Sequence, residues 1–369
     1  MKVETIMKVL LVAPYGGVPG GISRWTGHVL DYYEQSGHDD CELTLVSTGR
    51  STFVNINSPL FYRIKSAAKD FRKIFKDFDQ TIQQQPFDVM HLTSSASLSL
   101  LKDIRLLKKA KKKGIRTVIH FRFGRIPELS KSQNWEWKLL TKVIRLADVA
   151  IVIDEQSLKV LHDLHFTNVR YLANPISPQV LDVVSKIDVA REPRTLLFCG
   201  HVVKTKGVFE LIDACAQIPS IKLKMVGHVT QEMKAELEQY SNSASWLTIA
   251  GEEPYEEVIK EMRSCDVFVL PTYTEGFPNV ILESMACGCA IATTPVGAIP
   301  EMLDMASAEP CGLCCEPKDV EVLRRNIQYF LDHPDEARAY GHRAAQRVND
   351  MYAMPKVWEQ MVGIWREVV

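Results

Sequence analysis

Continuous apolar runs alternate with stretches of helical periodicity along nearly the whole chain. In the first half, strands are predicted at KVLLVA, LTLVS, VMHLT, TVIHF, AIVID and YLANP, and helices near 22–36, 61–84, 97–113, 133–146 and 155–164. Strands this uniformly apolar are typical of a parallel sheet covered by helices on both faces. The rhythm restarts at TLLFCG, KLKMVG, LTIAG, VFVLP and AIATT. The pattern therefore predicts an α/β chain with two doubly wound, Rossmann-like domains.

The break between the two series is a turn-rich segment near residues 173–194 (ANPISP, then REPR), which is expected to be a linker. We therefore predict a first domain over 1–185, a second over 186–350 and a separate C-terminal helix over 351–369. That helix has one broad apolar face, formed by Val357, Met361, Ile364, Trp365 and Val368. A face this apolar must be covered, and crossing back to the first domain is one way to cover it.

Composition is that of a soluble globular protein, with 46% hydrophobic and 24% charged residues. The net charge of −1 hides an asymmetry, because residues 1–185 hold 26 Lys+Arg and 18 Asp+Glu, which leaves 18 and 27 for the remainder. The sequence contains no run of about 18 apolar residues, so no membrane span is predicted. The first apolar run is short and leads into a glycine loop, so it is read as a strand and not as a signal peptide. Nine cysteines without even spacing predict reduced thiols and a cytoplasmic location. CGLCC at 311–315 has no second cysteine pair and no nearby histidine pair, which favours small buried residues at a turn and strand over a metal site.

The stretch EGFPNVILESM follows the predicted strand VFVLP and places carboxylates at Glu275 and Glu283. Pro278 suits the first turn of a helix, whose free N–H groups and dipole attract an anion. The order of hydroxyl acceptor, anion site and hydroxyl acceptor matches the sugar, diphosphate and ribose of a nucleotide sugar. Two glutamates at this spacing are common by chance. Whether they mark a nucleotide-sugar site therefore depends on the residues at the neighbouring strand exits.

Two other strand exits carry suitable residues. Lys206 and Gly207 follow TLLFCG, where a lysine is able to neutralise a diphosphate. The first strand leads into PYGGVPGG, a glycine loop that permits close approach of the backbone to a ligand. This loop lacks the GxGxxG spacing of dinucleotide folds. The second strand also ends in Ser47-Thr48 without the acid that binds a nicotinamide ribose, so hydride transfer is disfavoured.

Together these features resemble the retaining GT-B glycosyltransferases of family 4, over almost the whole chain. The most specific part is PTYTEGFPNVILESMACGCAIATTPVGAIPE, residues 271–301. The resemblance implies two facing Rossmann-like domains and a nucleotide-sugar donor. It assigns Glu275 to the transferred sugar, Glu283 to the ribose and Lys206 to the diphosphate. It assigns three further groups to the donor: the backbone of Gly276, Phe277, Pro278 and Asn279; the glycines Gly16, Gly17, Gly20 and Gly21; and His120, close to the transferred sugar.

One position departs from the family pattern. Where the family has Gly-Arg after the first strand of the second domain, this chain has Gly200-His201. A neutral histidine cannot replace the bidentate charge of arginine on a diphosphate. Three substitutes are open: a protonated His201, Lys204, or a first-domain arginine such as Arg24, with the last two ranked above the first.

No convincing DxD motif follows a predicted strand, so a reaction without a metal or other cofactor is expected. The family resemblance implies that the sugar is transferred with retention of its anomeric configuration. The departing phosphate would act as the base for same-face attack, while Glu275, His120 and Lys206 form the catalytic group. UDP-sugars are favoured over GDP-sugars as donors of a hexosyl or N-acetylhexosaminyl group. The expected acceptor is a glycan or a polyprenyl- or lipid-linked glycan in synthesis of bacterial capsule, O-antigen or glycolipid.

The basic surplus of the first half lies in two runs, residues 61–78 and 102–116. They are read either as solvated helix faces or as a surface for anionic lipid headgroups, which would add peripheral binding at the inner face of the cytoplasmic membrane. Nucleic acid is disfavoured because base-stacking modules are missing. Arg122 and Arg125, after His120, are candidate contacts to acceptor or phosphate. A nucleotide-sugar epimerase, a glycogen-phosphorylase relative and a non-catalytic sugar-nucleotide-binding subunit remain as alternatives.

Overall fold

The computed structural model describes residues 6–16, 20–37, 41–49, 60–242 and 244–369, apart from the side chains of 60–68. The chain divides into two compact units. The first comprises Met1–Pro175 and Val357–Val369, and the second comprises Ile176–Lys356. The expected boundary at residue 185 lies inside a helix, Pro178–Lys186, that packs on helices of the second unit. The chain therefore passes between the units before this helix and not after it.

The first unit is built on a parallel sheet whose strands follow the spatial order β2-β1-β3-β4-β5-β6. The six strands are β1 Met7–Ala13, β2 Cys41–Ser47, β3 Val89–Ser94, β4 Arg116–Phe121, β5 Val149–Val152 and β6 Val169–Tyr171. The helices between them are α1 Gly21–Ser36, α2 Leu60–Gln84, α3 Ser99–Lys112, α4 Ile126–Ser132, α5 Trp135–Leu146 and α6 Glu155–Asp163. Every residue of β3 is buried, as expected for a central strand with both faces covered.

The predicted helix over 133–146 is α5 in the structure, and the short helix α4 directly before it was not predicted. Gln133 ends α4 in the left-handed region, with φ +49°. The Asn134 side chain then accepts hydrogen bonds from the backbone N–H groups of Glu136 and Trp137, so it caps α5. The sequence prediction missed α4 because only seven residues separate its first residue from this cap. The sixth strand, predicted to start at 171, ends there instead.

The two basic runs lie side by side on the helical surface of this unit. Phe78 and Ile74 of α2 are buried in the core, and Lys109 of α3 is paired with Asp79. Arg105 and Lys109 lie over the ring of Phe75, at 5.9 and 5.7 Å from its centroid. The run over 61–78 extends into residues 61–68, whose side chains are outside the described part of the chain. Both amphipathic runs therefore use their apolar residues for core packing.

The second unit repeats the architecture, with the strand order β12-β11-β10-β7-β8-β9. Its strands are β7 Thr195–Cys199, β8 Lys222–Val226, β9 Leu247–Gly251, β10 Val267–Leu270, β11 Ala290–Thr293 and β12 Leu313–Cys314. Its helices are α7 Pro178–Lys186, α8 Val208–Cys215, α9 Gln231–Tyr240, α10 Tyr255–Ser264, α11 Asn279–Ala286, α12 Ile299–Met302, α13 Val320–Asp332 and α14 Pro334–Arg347. A 3₁₀ turn, Lys204–Lys206, precedes α8.

The helix α7 of the second unit was not predicted. The turn-rich segment 173–194 contains it, and its first turn begins with Pro178 and is capped by the Ser177 side chain. CGLCC contributes β12 at the sheet edge, and Cys311 and Cys315 are buried beside it, as predicted for small buried residues at a turn and strand. The last helix, α15 Met354–Val368, buries Val357, Met361 and Trp365 in the first unit.

Candidate functional site

The centre of the candidate site in the second unit is an ion pair between Lys206 and Glu275. Lys206 ends the 3₁₀ turn after β7, and Glu275 lies in the loop after β10. Because β7 and β10 are neighbours in a parallel sheet, their carboxyl-terminal loops meet at one edge. The Lys206 ammonium donates a hydrogen bond to Oε1 of Glu275, and the two side chains are 24% and 12% exposed. The structure thus brings together two of the three predicted catalytic residues.

Backbone contacts fix these two loops against each other. The N–H of Tyr273 donates to the carbonyl oxygen of Thr205 at 2.9 Å, one residue before Lys206. Gly207 has φ +70°, and a Cβ built there would lie 2.0 Å from the carbonyl oxygen of Pro271. Only glycine fits this conformation and this contact. Lys206 is therefore held by its two chain neighbours, independently of the ion pair.

A third loop, between β11 and α12, supports Glu275 from behind. The N–H of Ala298 donates to the carbonyl oxygen of Gly276 at 2.8 Å. Gly297 has φ +58°, and an added Cβ would lie 2.5 Å from the carbonyl oxygen of Glu275. Sequence reasoning did not single out Gly297. Its signal was its place at the next strand exit, in TTPVGAIPE.

The residues between the two glutamates serve different purposes. Phe277 and Pro278 are buried, and the Phe277 ring packs edge-on against Tyr352 at 5.7 Å. Pro278 is the N-cap of α11 and not a first-turn residue, and its side chain caps nothing. The first helical residue is Asn279, which leaves early N–H groups of the helix without a side-chain cap. Glu283 is half-buried four residues further along α11, about 6 Å at 1.5 Å per residue.

His201 is exposed in the loop that follows β7. Its ring is 6.0 Å from that of His228, whose carbonyl oxygen accepts a hydrogen bond from the N–H of Val202 at 2.9 Å. Lys204, one of the expected substitutes for the missing arginine, instead donates to Glu236 at 2.7 Å. Its side chain is 62% exposed. Lys206 is therefore the cation placed closest in the fold to Glu275, while Lys204 is engaged with α9.

In the first unit, His120 lies near the carboxyl end of β4 within a buried group of rings. Its Nδ1 is 3.1 Å from Nε2 of His91, and its Nε2 is 3.2 Å from Nη1 of Arg122. Trp25 of α1 stacks on His91 and meets His120 edge-on, with the Arg122 guanidinium 4.5 Å from its ring centroid. Trp365 of α15 donates from Nε1 to Nδ1 of His91 at 2.9 Å. Sequence reasoning missed His91, Trp25 and Trp365 because nothing local marks them.

Burial keeps the two histidines of this group uncharged. Desolvation, and then the positive charge of Arg122, lower the pKa of His91 to about 3. The same causes lower the pKa of His120 well below the ordinary value. Desolvation also lowers the pKa of Arg122 to about 9. Both imidazoles are therefore neutral near pH 7, which suits hydrogen bonding to sugar hydroxyls better than binding a phosphate.

Of the other arginines predicted in the first unit, Arg125 is ion-paired and Arg24 is exposed. Arg125 pairs at 2.8 Å with Oε1 of Glu136, which also accepts from the N–H of Ser97 at 2.9 Å. Arg125 is thus fixed by a nearly buried carboxylate. Arg24 is exposed on the first turn of α1.

The glycine loop after β1 is partly described. Gly16 has φ +70°, and Gly20 is the N-cap of α1. A Cβ added at Gly20 or Gly21 would meet nothing within 4 Å, so packing among the described residues does not require glycine there. Gly17 lies outside the described residues.

Residues 184–347 match the family described as glycosyl transferases group 1. Lys206, Glu275, Glu283 and His201 all lie in this matched segment. A capsular polysaccharide biosynthesis glycosyltransferase, CapM, from Staphylococcus aureus is 25% identical over 173 residues, which cover 46% of this chain and 44% of CapM. The chain spans about half the length of the first curated relatives that it matches, with 44%, 46% and 54% of them covered.

Solved structures extend the likeness beyond residues 184–347 to the fold of the whole chain. A sucrose-phosphate synthase from Thermosynechococcus elongatus gives a TM-score of 0.76 at 19% identity and covers 98% of both chains. HepE from Anabaena, solved in complex with UDP, gives a TM-score of 0.70 at 17% identity and covers 98% of this chain and 100% of HepE. The protein has the GT-B fold, as expected. Within the described residues, no helix has both the length and the apolar character needed to cross a membrane.

Proposed function

We propose that the protein is a glycosyltransferase that moves a sugar from a nucleoside-diphosphate sugar to a glycan or lipid-linked acceptor, with retention of anomeric configuration. The observation that carries the proposal is the Lys206–Glu275 pair at the carboxyl ends of β7 and β10, within the segment that matches glycosyl transferases group 1. The capsular function named for CapM supports a place in bacterial surface polysaccharide or glycolipid synthesis.

Each residue of the second unit has a distinct role in this proposal. The Lys206 ammonium and the first N–H groups of α11 bind the diphosphate. They stabilise the negative charge that develops on it as the leaving group. Glu275 is then released to accept from hydroxyls of the transferred sugar, and Glu283 accepts from the ribose. The departing phosphate removes the proton of the acceptor hydroxyl on the same face of the sugar. No metal is needed for these steps, since cationic and N–H donors meet the charge.

The decisive experiment is a thermal-shift screen of the purified chain across UDP- and GDP-sugars, because a ligand that binds only the folded state raises Tm. We expect stabilisation by one UDP-sugar series, which is the donor class bound by HepE. The stabilising donor is then incubated with candidate lipid-linked and glycan acceptors, and NMR of the product reports the anomeric configuration. An inverted product would contradict retention.

The same screen separates the alternatives. An epimerase would convert the donor sugar without an acceptor and without transfer. A non-catalytic subunit, which the histidine at position 201 makes conceivable, would bind the donor and give neither hydrolysis nor transfer. Either result would reject the proposed activity while leaving the binding site in place.

We also propose that the first unit binds anionic membrane surfaces. Lys69, Arg72, Lys73 and Lys76 are all exposed on α2, at i, i+3, i+4 and i+7, so they form one basic stripe. Exposed Lys108, Lys112 and Lys113 extend the charge onto α3. Such a stripe attracts anionic headgroups, by about 1 kcal/mol for each basic residue near the surface.

Co-sedimentation with vesicles of phosphatidylcholine and phosphatidylglycerol tests the stripe. The variant with glutamine at all four α2 positions is expected to lose binding, as is the native protein in high salt. A matched control replaces four exposed lysines of the second unit, Lys186, Lys222, Lys260 and Lys356, and should retain it. Equal loss in both variants would show that total charge, and not the stripe, decides binding.

A further inference from the structure

A chain of nitrogen atoms crosses the interior of the first unit. It begins at the Trp365 indole, whose N–H points to Nδ1 of His91 at 2.9 Å. It continues from Nε2 of His91 to Nδ1 of His120 at 3.1 Å, and ends with Nε2 of His120 and Nη1 of Arg122 at 3.2 Å. Trp365, His91 and His120 are wholly buried. Each imidazole therefore uses both nitrogens in contacts along the chain.

These contacts cannot all be hydrogen bonds. The indole of Trp365 and the guanidinium of Arg122 are donors only, and a neutral imidazole offers one donor and one acceptor. Three contacts need three acceptors, but His91 and His120 together provide two. Protonating either ring removes a further acceptor. One contact must therefore bring two N–H groups face to face.

The unsatisfied contact is the one at Arg122. The Trp365 contact is the shortest of the three and is sealed in the core, so leaving that N–H unpaired would carry a full desolvation penalty. Arg122 is half-buried, forms the longest contact, and has a second favourable partner in the face of Trp25. With the Trp365 end satisfied, the proton positions follow in order: His91 carries its proton on Nε2, and so does His120.

We propose that Trp365 and His91 are positioning residues that hold His120 with its proton on Nε2. The result is an N–H donor at the carboxyl end of β4, beside the guanidinium of Arg122 and without an acceptor between them. Two converging donors form a site for one oxygen atom. That this oxygen belongs to the substrate rests on the proposed function, whereas the position of the proton does not.

The proton positions are measured by NMR of the intact protein labelled with ¹⁵N at histidine, since protonated and unprotonated ring nitrogens have different shifts. In the native protein, His91 and His120 are both expected to be neutral Nε2–H tautomers at pH 7. The Trp365→Phe variant removes the donor at one end. Arg122 can then donate to Nε2 of His120, and His120 can donate from Nδ1 to Nε2 of His91. Both tautomers are therefore expected to switch to Nδ1–H.

Two further variants separate the relay from a general effect on packing. Trp358→Phe makes the same truncation seven residues earlier on α15, where the ring packs against Tyr32 and Tyr33 and meets the Trp365 ring edge-on at 5.7 Å. It keeps the Trp365 donor, disturbs its packing, and should leave both tautomers unchanged. Arg122→Met removes the opposing donor and should also keep His120 protonated on Nε2. An imidazolium or an Nδ1–H form of His120 in the native protein would overturn the proposal. So would an unchanged pair of tautomers in Trp365→Phe.

Turnover provides the second measurement. Trp365→Phe is expected to lower kcat about 100-fold, which is typical for loss of one oriented donor, and Trp358→Phe should change it little. If the tautomers switch as expected but no nucleotide sugar supports transfer, the relay stands and the proposed function fails. If transfer is found and the tautomers do not switch, the relay fails alone.

Discussion

The two units present polar groups at the carboxyl ends of their sheets in opposite ways. In the second unit, Lys206 and Glu275 are both charged, partly exposed and paired with each other. In the first, His91 and His120 are neutral and wholly buried. A partly exposed ion pair can exchange its partner for a charged ligand, because water screens the separated charges. Two buried neutral imidazoles do not readily take up a charge, but they orient a hydrogen bond. The ion pair of the second unit therefore suits a diphosphate, and the neutral histidines of the first unit suit a sugar hydroxyl.

Replacing Glu275 tests the charged side of this comparison and should have the largest effect. Glu275→Gln keeps the shape but loses the charge that accepts strongly from sugar hydroxyls, so kcat is expected to fall about 10³-fold, or about 4 kcal/mol. The measurement is the rate of nucleotide release in the presence of acceptor. Glu236→Gln is the matched control, since Glu236 accepts from Lys204 on the surface. Near-full turnover of Glu275→Gln would remove the role assigned to this carboxylate.

Replacing Lys206 separates binding from chemistry within the same pair. Lys206→Met removes the charge facing the diphosphate, so kcat/KM for the donor should fall about 100-fold, or about 3 kcal/mol. The native enzyme should lose part of this advantage in high salt, because the lysine is partly exposed. Lys204→Met is the control and should stay within a few-fold of native. An equal loss in both variants would mean that Lys206 acts only through the general charge of the unit.

Acid titration tests the neutral side of the comparison. The folded state keeps His91 neutral down to about pH 3, whereas the unfolded chain takes up a proton below about pH 6.5. Unfolding therefore becomes easier as pH falls from 6.5 towards 3, by up to about 1.4 kcal/mol per pH unit for each such histidine. Urea unfolding followed by tryptophan fluorescence reports this, since five of the six tryptophans lie in the first unit.

Two histidine variants complete that experiment. His91→Gln should lower the slope of the unfolding free energy against pH by the contribution of one histidine, up to about 1.4 kcal/mol per pH unit. His342→Gln, which replaces an exposed histidine of α14, should leave it unchanged. An unaltered slope in His91→Gln would contradict the lowered pKa of this residue.

The same contrast explains how far the sequence predicted the molecule. The order of strands and helices was predicted because it follows from local apolar patterns. The site at Glu275 and Lys206 was predicted because each residue lies within a few positions of the end of an apolar strand. The boundary at residue 185 and the helix α7 were not, because turn residues carry little periodic signal. The relay of His91, His120 and Trp365 joins residues up to 274 positions apart. No local pattern records such a contact, since it depends on the docking of α15.

The smallest expected effect comes from restoring the missing arginine. His201 is exposed at the end of β7 and its nearest ring neighbour is His228, so an arginine there has room and meets no buried group. His201→Arg adds a charge able to form two parallel hydrogen bonds to a phosphate. Donor Kd, measured by calorimetry, is expected to fall about 3- to 10-fold, or about 1 kcal/mol. His228→Arg places the same charge on the neighbouring strand and should tighten binding less. Equal tightening by the two variants would indicate attraction by charge alone, and no tightening by His201→Arg would mean that Lys206 and the first turn of α11 already bind the diphosphate fully.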